Sequence, residues 1–201
     1  MRQGLLVLFL AITMAAQGQA LWLESGYKQE FSKSTALSVD VAWRGRANEQ
    51  GRAFVDVELD RDFGKHFFGF YECRVNLWGT EARNTYGFGL EESIKWKGTK
   101  LFSMDYSWRY HDDDQEFRQS LGVDRKFNRL KPKLEVETWY RPWDSGVVRR
   151  KLRASAGLQY DPKGPCKWEV GALRQNDYSR KGNFQSSEWA VYLEFQWRLP
   201  Q

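Results

Sequence analysis

Two cysteines and two histidines are all that the 201 residues hold. Disulfide geometry needs close, correctly aimed Cβ atoms, so the wide spacing of Cys73 and Cys166 assigns no bridge. His66 and His111 are the only imidazoles available to hydrolytic chemistry, and no serine elbow of the form GxSxG is present. Past residue 16 no apolar stretch is long enough for a membrane helix, and no segment keeps helical spacing for long. Excess charge is small as well. The formal net charge of +5 is spread along the chain, which leaves no basic stripe for a nucleic acid.

What is present begins with MRQGLLVLFLAITMAAQGQA. One basic residue, Arg2, precedes an uncharged apolar stretch from Leu5 to Ala16, and Gly18-Gln19-Ala20 offers the small residues that a signal peptidase reads. The expectation is a cleaved secretory signal over 1–20 and a single mature domain over 21–201. No cysteine for lipid attachment lies beside the cleavage site.

Aromatic residues make up 16% of the chain and charged residues 28%. Both can be abundant when every second residue is apolar, and the chain is written that way. Leu37, Val39, Val41 and Trp43 alternate with Ser38, Asp40, Ala42 and Arg44. Phe102, Met104, Tyr106, Trp108 and Tyr110 alternate with Ser103, Asp105, Ser107 and Arg109. A period of two suits only a strand. Eleven such runs of about ten residues follow one another, from LWLESGYKQEF to WAVYLEFQWRL.

Connectors between the runs also alternate. Short turns at 32–34, 64–65, 97–99, 128–131 and 161–165 interleave with longer polar segments at 45–51, 79–84, 111–115, 142–146 and 176–187. A meander of hairpins puts the short turns at one end and the longer loops at the other, which is the signature of a transmembrane β-barrel. A soluble periplasmic barrel would use the same alternation with its apolar faces inward. Strand length separates the two, because soluble strands cluster near five or six residues and a tilted membrane strand needs about 9–11. The runs are of the longer kind. The sequence therefore predicts an all-β fold: an antiparallel up-and-down transmembrane β-barrel of 10–12 strands. Single-chain bacterial barrels have even strand counts, so ten or twelve is expected, with the opening run or one long run misassigned.

LWLESGYKQEF, YSWRYHDD, TWYRPWD, EFRQSLGVDRKF, VVRRKLRASAGLQY and the closing WAVYLEFQWRL resemble, over essentially the whole mature chain, a family of small bacterial outer-membrane barrel proteins of unknown function. That resemblance implies a Gram-negative outer-membrane location and brings no functional residues with it. The chain departs from common outer-membrane practice at its end, WRLPQ, where a terminal aromatic is usual.

On this reading the polar faces line a narrow lumen, with Arg44, Arg74, Asp105, Arg109, Arg118, Arg149, Arg153 and Glu194 among them. Charges at that density are expected to pair and plug the barrel. A narrow solute pore is the alternative. His111, Asp112, Asp113 and Asp114 read as a loop tip at the longer-loop end. Two functional readings compete with that one: a hydrolase using His111, Asp112, Asp113 and Ser107, or a divalent-cation site bridging lipopolysaccharide. No cofactor is expected, and a monomer in contact with outer-membrane lipid is. The 176–187 segment is expected to be the longest loop and the principal contact surface.

Overall fold

The computed structural model describes residues 20–198 apart from 47–50, 79–81, 97–98, 112–113, 142–147 and 163–164. Of the expected signal segment 1–20 all but Ala20 lies outside the described residues, as do Asp112, Asp113 and Leu199. All the described secondary structure is β. Eleven strands follow in order: β1 (Ala20–Ser32), β2 (Thr35–Arg46), β3 (Arg52–Asp62), β4 (Phe67–Asn76), β5 (Ala82–Trp96), β6 (Thr99–His111), β7 (Asp114–Asp124), β8 (Leu130–Arg141), β9 (Val148–Tyr160), β10 (Cys166–Tyr178) and β11 (Phe184–Arg198).

Each strand pairs antiparallel with its sequence neighbour, and the sheet closes where β1 meets β11. That closing pair is parallel, running from Ala20↔Ala190 to Lys28↔Arg198. The expectations of an even count and of purely antiparallel pairing are both corrected here, and the two share one cause. In a meander every strand reverses the one before it, so the first and last of an odd number point the same way and can close only in parallel. Ala20 and Arg198 consequently lie at opposite ends of the barrel. We call these the N-terminal rim, where Ala20 lies, and the C-terminal rim, where Arg198 lies.

Strands of 10 to 15 residues leave little chain for connections. Among the fully described connections the expected division into long loops and short turns is not seen at one pair: 125–129 at one end is as long as 179–183 at the other. His111 pairs directly with Asp114, so His111, Asp114 and Gln115 of HDDDQ belong to strands. The expected long loop at 176–187 is mostly strand, because β10 runs to Tyr178 and β11 starts at Phe184. Its tip is a tight hairpin in which the Ser179 hydroxyl accepts from the backbone N–H groups of Lys181 (3.3 Å) and Asn183 (3.1 Å). Gly182 turns the chain there at φ +79°, a region costly to residues with a Cβ.

The alternation resolves into two faces as expected. Leu23, Val41, Tyr71, Phe88, Leu134 and Phe195 are exposed on the outside, while the charged positions turn inward. Glycines on the inner face make room for large side chains. A Cβ on Gly157 or Gly171 would run into the Tyr192 phenol, whose hydroxyl donates to Glu169 at 2.9 Å. Tyr192 and Trp22 pack on a small apolar cluster of Ala20, Leu173 and Ala190 inside the N-terminal half of the β1–β11 seam. Gly171→Val is expected to cost about 2 kcal/mol of overpacking. Urea unfolding of the refolded barrel reads this. A Cβ on Gly122 would meet only the Ser103 hydroxyl within close range, so Gly122→Ala should lower stability less.

Candidate functional site: the lumen

Charged side chains from all parts of the sheet converge inside the barrel, and they are organised around aromatic rings. The Arg74 guanidinium lies 4.4 Å from the Phe54 centroid, and Arg44 lies 4.8 Å from the same ring. Arg44 in turn is 4.3 Å from Trp22, which Arg153 approaches at 5.1 Å. Arg153 is also 5.1 Å from Trp139, and Arg118 is 5.5 Å from it. These contacts form one alternating ladder of four guanidiniums and three rings. It passes from β4 through β3, β2 and β1, spans the lumen past β10 and β11, and ends on β7. Guanidinium suits this role because it is planar and weakly hydrated, and cation–π attraction is effective within about 6 Å of a ring.

Carboxylates neutralise most of the ladder. Arg74 holds Asp56 with two parallel hydrogen bonds of 2.6 and 2.7 Å and reaches Glu72 at 3.5 Å. Glu72 also faces Arg109 at 3.6 Å. Glu137 bridges two cations, making a short contact with Arg118 and a 3.1 Å bond with Arg153. Arg153 spends a second nitrogen on Gln175 at 3.0 Å. Further toward the C-terminal rim, Lys133 meets Glu169 at 2.8 Å and Ser120 donates to Glu135 at 2.6 Å. Pairing of this kind is what a confined interior requires, since an unpaired buried charge is costly.

The open space divides into chambers. One of about 320 Å³ lies toward the N-terminal rim, bordered by Arg83, Thr85, His111 and Lys151. Another of about 400 Å³ lies toward the C-terminal rim, bordered by Lys28, Asp60, Glu91 and Asp105. Glu58, Arg109 and Arg118 border both, so these three side chains form the partition between them. A third, of about 180 Å³, sits beside Lys133, Glu169 and Glu194, and it meets the first across Glu24, Arg44, Glu137 and Arg153.

Seven of the eight expected lumen residues border these chambers: Arg44, Arg74, Arg109, Arg118 and Arg153 the first, Asp105 the second and Glu194 the third. Arg149 does not. A register shift between Trp139 and Tyr140 pairs Trp139 with Lys151 and Tyr140 with Arg149, leaving Arg150 as the extra residue. Such a bulge reverses the alternation. Arg149 is therefore exposed and lies 5.9 Å from the Tyr178 ring. Arg150 takes the inward place and pairs with Glu116 at 3.4 Å and Asp114 at 3.6 Å.

The histidine and aspartates separate. His111 is 8% exposed and points inward, so it is not part of a solvated tip. Its Nδ1 is 2.7 Å from the Thr85 hydroxyl, and its Nε2 is 3.7 Å from Glu116 Oε1. Asp114 also turns inward, in short contact with Arg141. Ser107 is 1% exposed and accepts from Arg109 Nε at 3.4 Å, four residues along the strand from His111. The expected Ser107–His111 pairing is not formed. Thr85, which sequence reasoning missed, stands in its place because the β5–β6 register sets Thr85 opposite His111. A hydroxyl, an imidazole and a carboxylate in a row is the order of a nucleophile and its base, but Thr85 is 2% exposed and its oxygen is shielded. Among the described residues no group of three or more histidine, cysteine or acidic side chains is placed to hold a metal ion. Cys73 and Cys166 are both free thiols.

The fold and lumen define a closed, odd-stranded β-barrel with an aromatic-braced charged interior. No family model, curated protein or solved structure matches the chain.

Proposed function

We propose that this protein is an exported outer-membrane β-barrel with a structural or binding role and a lumen closed by its own charged side chains. The observation that carries the reading is the direction of the apolar faces. Phe88, Ile94 and Leu134 are 60%, 63% and 60% exposed on the outer surface, while Glu116, Glu137 and Glu169 are buried inside. A water-soluble barrel needs the reverse arrangement, and a bilayer favours this one. Aromatic girdles at both rims add support. Near the N-terminal rim Tyr86 stacks on Tyr110 at 5.4 Å, and Trp108 lies 6.2 Å from Phe117. Near the C-terminal rim Tyr160 lies 5.3 Å from Trp168. Such rings favour the membrane–water interface.

Strands of 10 to 15 residues are long enough to cross at a tilt. Fractionation tests the proposal. The protein should partition with outer membranes and migrate on gels as a compact species until boiled, whereas recovery in the periplasmic supernatant would overturn it. A charge on the outer face gives a quantitative check. Leu134→Arg is expected to destabilise the vesicle-inserted barrel by about 2–4 kcal/mol if the residue lies near the bilayer midplane. A soluble barrel would tolerate the same exposed change with almost no loss.

A further inference from the structure

We propose that the N-terminal chamber is a binding site for a small zwitterion: an oxyanion joined by a short linker to a primary ammonium. The inference concerns the inside of the barrel and stands apart from where the barrel resides. It starts from the charges that remain after the ion pairs are assigned. In this chamber Asp56, Glu72, Glu116 and Glu137 each have a cationic partner within 4 Å. Arg44 and Glu24 also border it and attract each other across a longer gap. Among the other described lining residues, Arg83 and Lys151 have no carboxylate within 4 Å, and Asp40 and Glu58 have no cation.

The two unmatched sets occupy different depths. Arg83 is the second residue of β5 and Lys151 the fourth of β9, counted from the N-terminal rim; Asp40 and Glu58 are each the seventh from that rim in β2 and β3. A difference of three to five strand positions is roughly 10–16 Å along the strand direction. Inward-reaching side chains shorten that span to the length of a small molecule. The chamber's volume of about 320 Å³ is within the range of small-ligand sites.

His111 adds no free cation to this rim, because its Nε2 is buried and already faces Glu116 Oε1 at 3.7 Å. Buried polar atoms and confined charges are costly when unmatched. A simple anion would satisfy the rim and leave the carboxylate floor unmatched, and a simple amine would do the opposite. A ligand carrying both signs satisfies both at once, with its oxyanion against Arg83 and Lys151 and its ammonium against Asp40 and Glu58.

The test uses the full-length mature barrel in a maltoside detergent, because zwitterionic detergents would compete. Calorimetric titration compares O-phosphoethanolamine with inorganic phosphate and with ethanolamine. Phosphoethanolamine is expected to bind at least about tenfold more tightly than either half. Lys151→Gln should reduce its affinity to that of ethanolamine, and Asp40→Asn to that of phosphate. Arg83→Gln serves as the rim variant if Lys151→Gln does not fold. Micelles doped with phosphatidylethanolamine or phosphatidylglycerol identify the source. Displacement by the first alone points to a lipid headgroup, and no displacement by either points to a free solute. Equal affinity for phosphate and phosphoethanolamine, or no binding to a barrel that still shows compact migration, would overturn the proposal.

Discussion

Replacing Arg109 and Arg118 together with alanine is expected to turn a closed lumen into a cation-selective channel. Both side chains border the N-terminal and C-terminal chambers, and with Glu58 they are the only groups that do so among the described lining residues. Each is held in place. Arg109 lies 4.7 Å from the Phe70 ring and 3.6 Å from Glu72. Arg118 lies 5.5 Å from Trp139 and contacts Glu137. Truncation removes two long side chains and joins spaces of about 320 and 400 Å³. It also removes two positive charges while Glu58, Glu72 and Asp105 stay, so the widened passage should favour potassium over chloride. In planar bilayers the unaltered protein should show no steps above baseline. The double variant should show steps, with a reversal potential on the cation side. Arg109→Lys alone should remain silent because it keeps both length and charge. Steps from the unaltered protein would favour the narrow-pore alternative, and silence from a folded double variant would refute the assignment of the partition.

Glu137→Gln carries the second large effect. Glu137 is 5% exposed and is the acceptor shared by Arg118 and Arg153. Those two guanidiniums also flank Trp139 in the ladder. Neutralising the carboxylate leaves two like charges in a confined space with only ring faces, amides and more distant acids around them. Removing one partner of a buried ion pair typically costs about 3–5 kcal/mol. A loss near the lower end of that range is expected, because the lumen admits some water. The readout is the urea midpoint of the refolded barrel. Pairing Glu137→Gln with Arg153→Gln should recover part of the loss, as a coupled network requires. The exposed Lys126–Asp161 pair, 3.3 Å apart, is the comparison: Asp161→Asn should cost less than about 1 kcal/mol. An equally small loss at Glu137 would mean that the lumen is solvated enough to make its charges surface-like.

Much of this arrangement was legible from residue order. Leu37, Val39 and Val41 against Ser38 and Asp40, or Phe88 and Leu90 against Glu91, mark faces by parity, and parity survives folding wherever no residue is inserted. The inward aromatics were also within reach of the same counting. Trp22, Phe54, Phe70, Trp139 and Tyr192 sit on the polar parity of their strands, out of step with the apolar stripe. Only the habit of grouping aromatics with apolar residues hid them. Arg149 and Arg150 are different. A bulge opposite Tyr140 is a property of two strands in register, and no pattern within β9 announces it. The same holds for His111, whose partner Thr85 is 26 residues away. HDDDQ reads as a loop because aspartate favours turns, but pairing carried the strands to His111 and Asp114.

Residue order by itself determined the all-β character, the length of the strands and the direction of nearly every side chain, because a period of two leaves only two faces to choose between. Tertiary structure decided the rest. Eleven strands closed through a parallel β1–β11 seam because an odd meander has no other way to shut. The lumen acquired its chambers, partition and ladder because closure brought Arg153 on β9 against Trp22 on β1, two residues that lie more than half the chain apart.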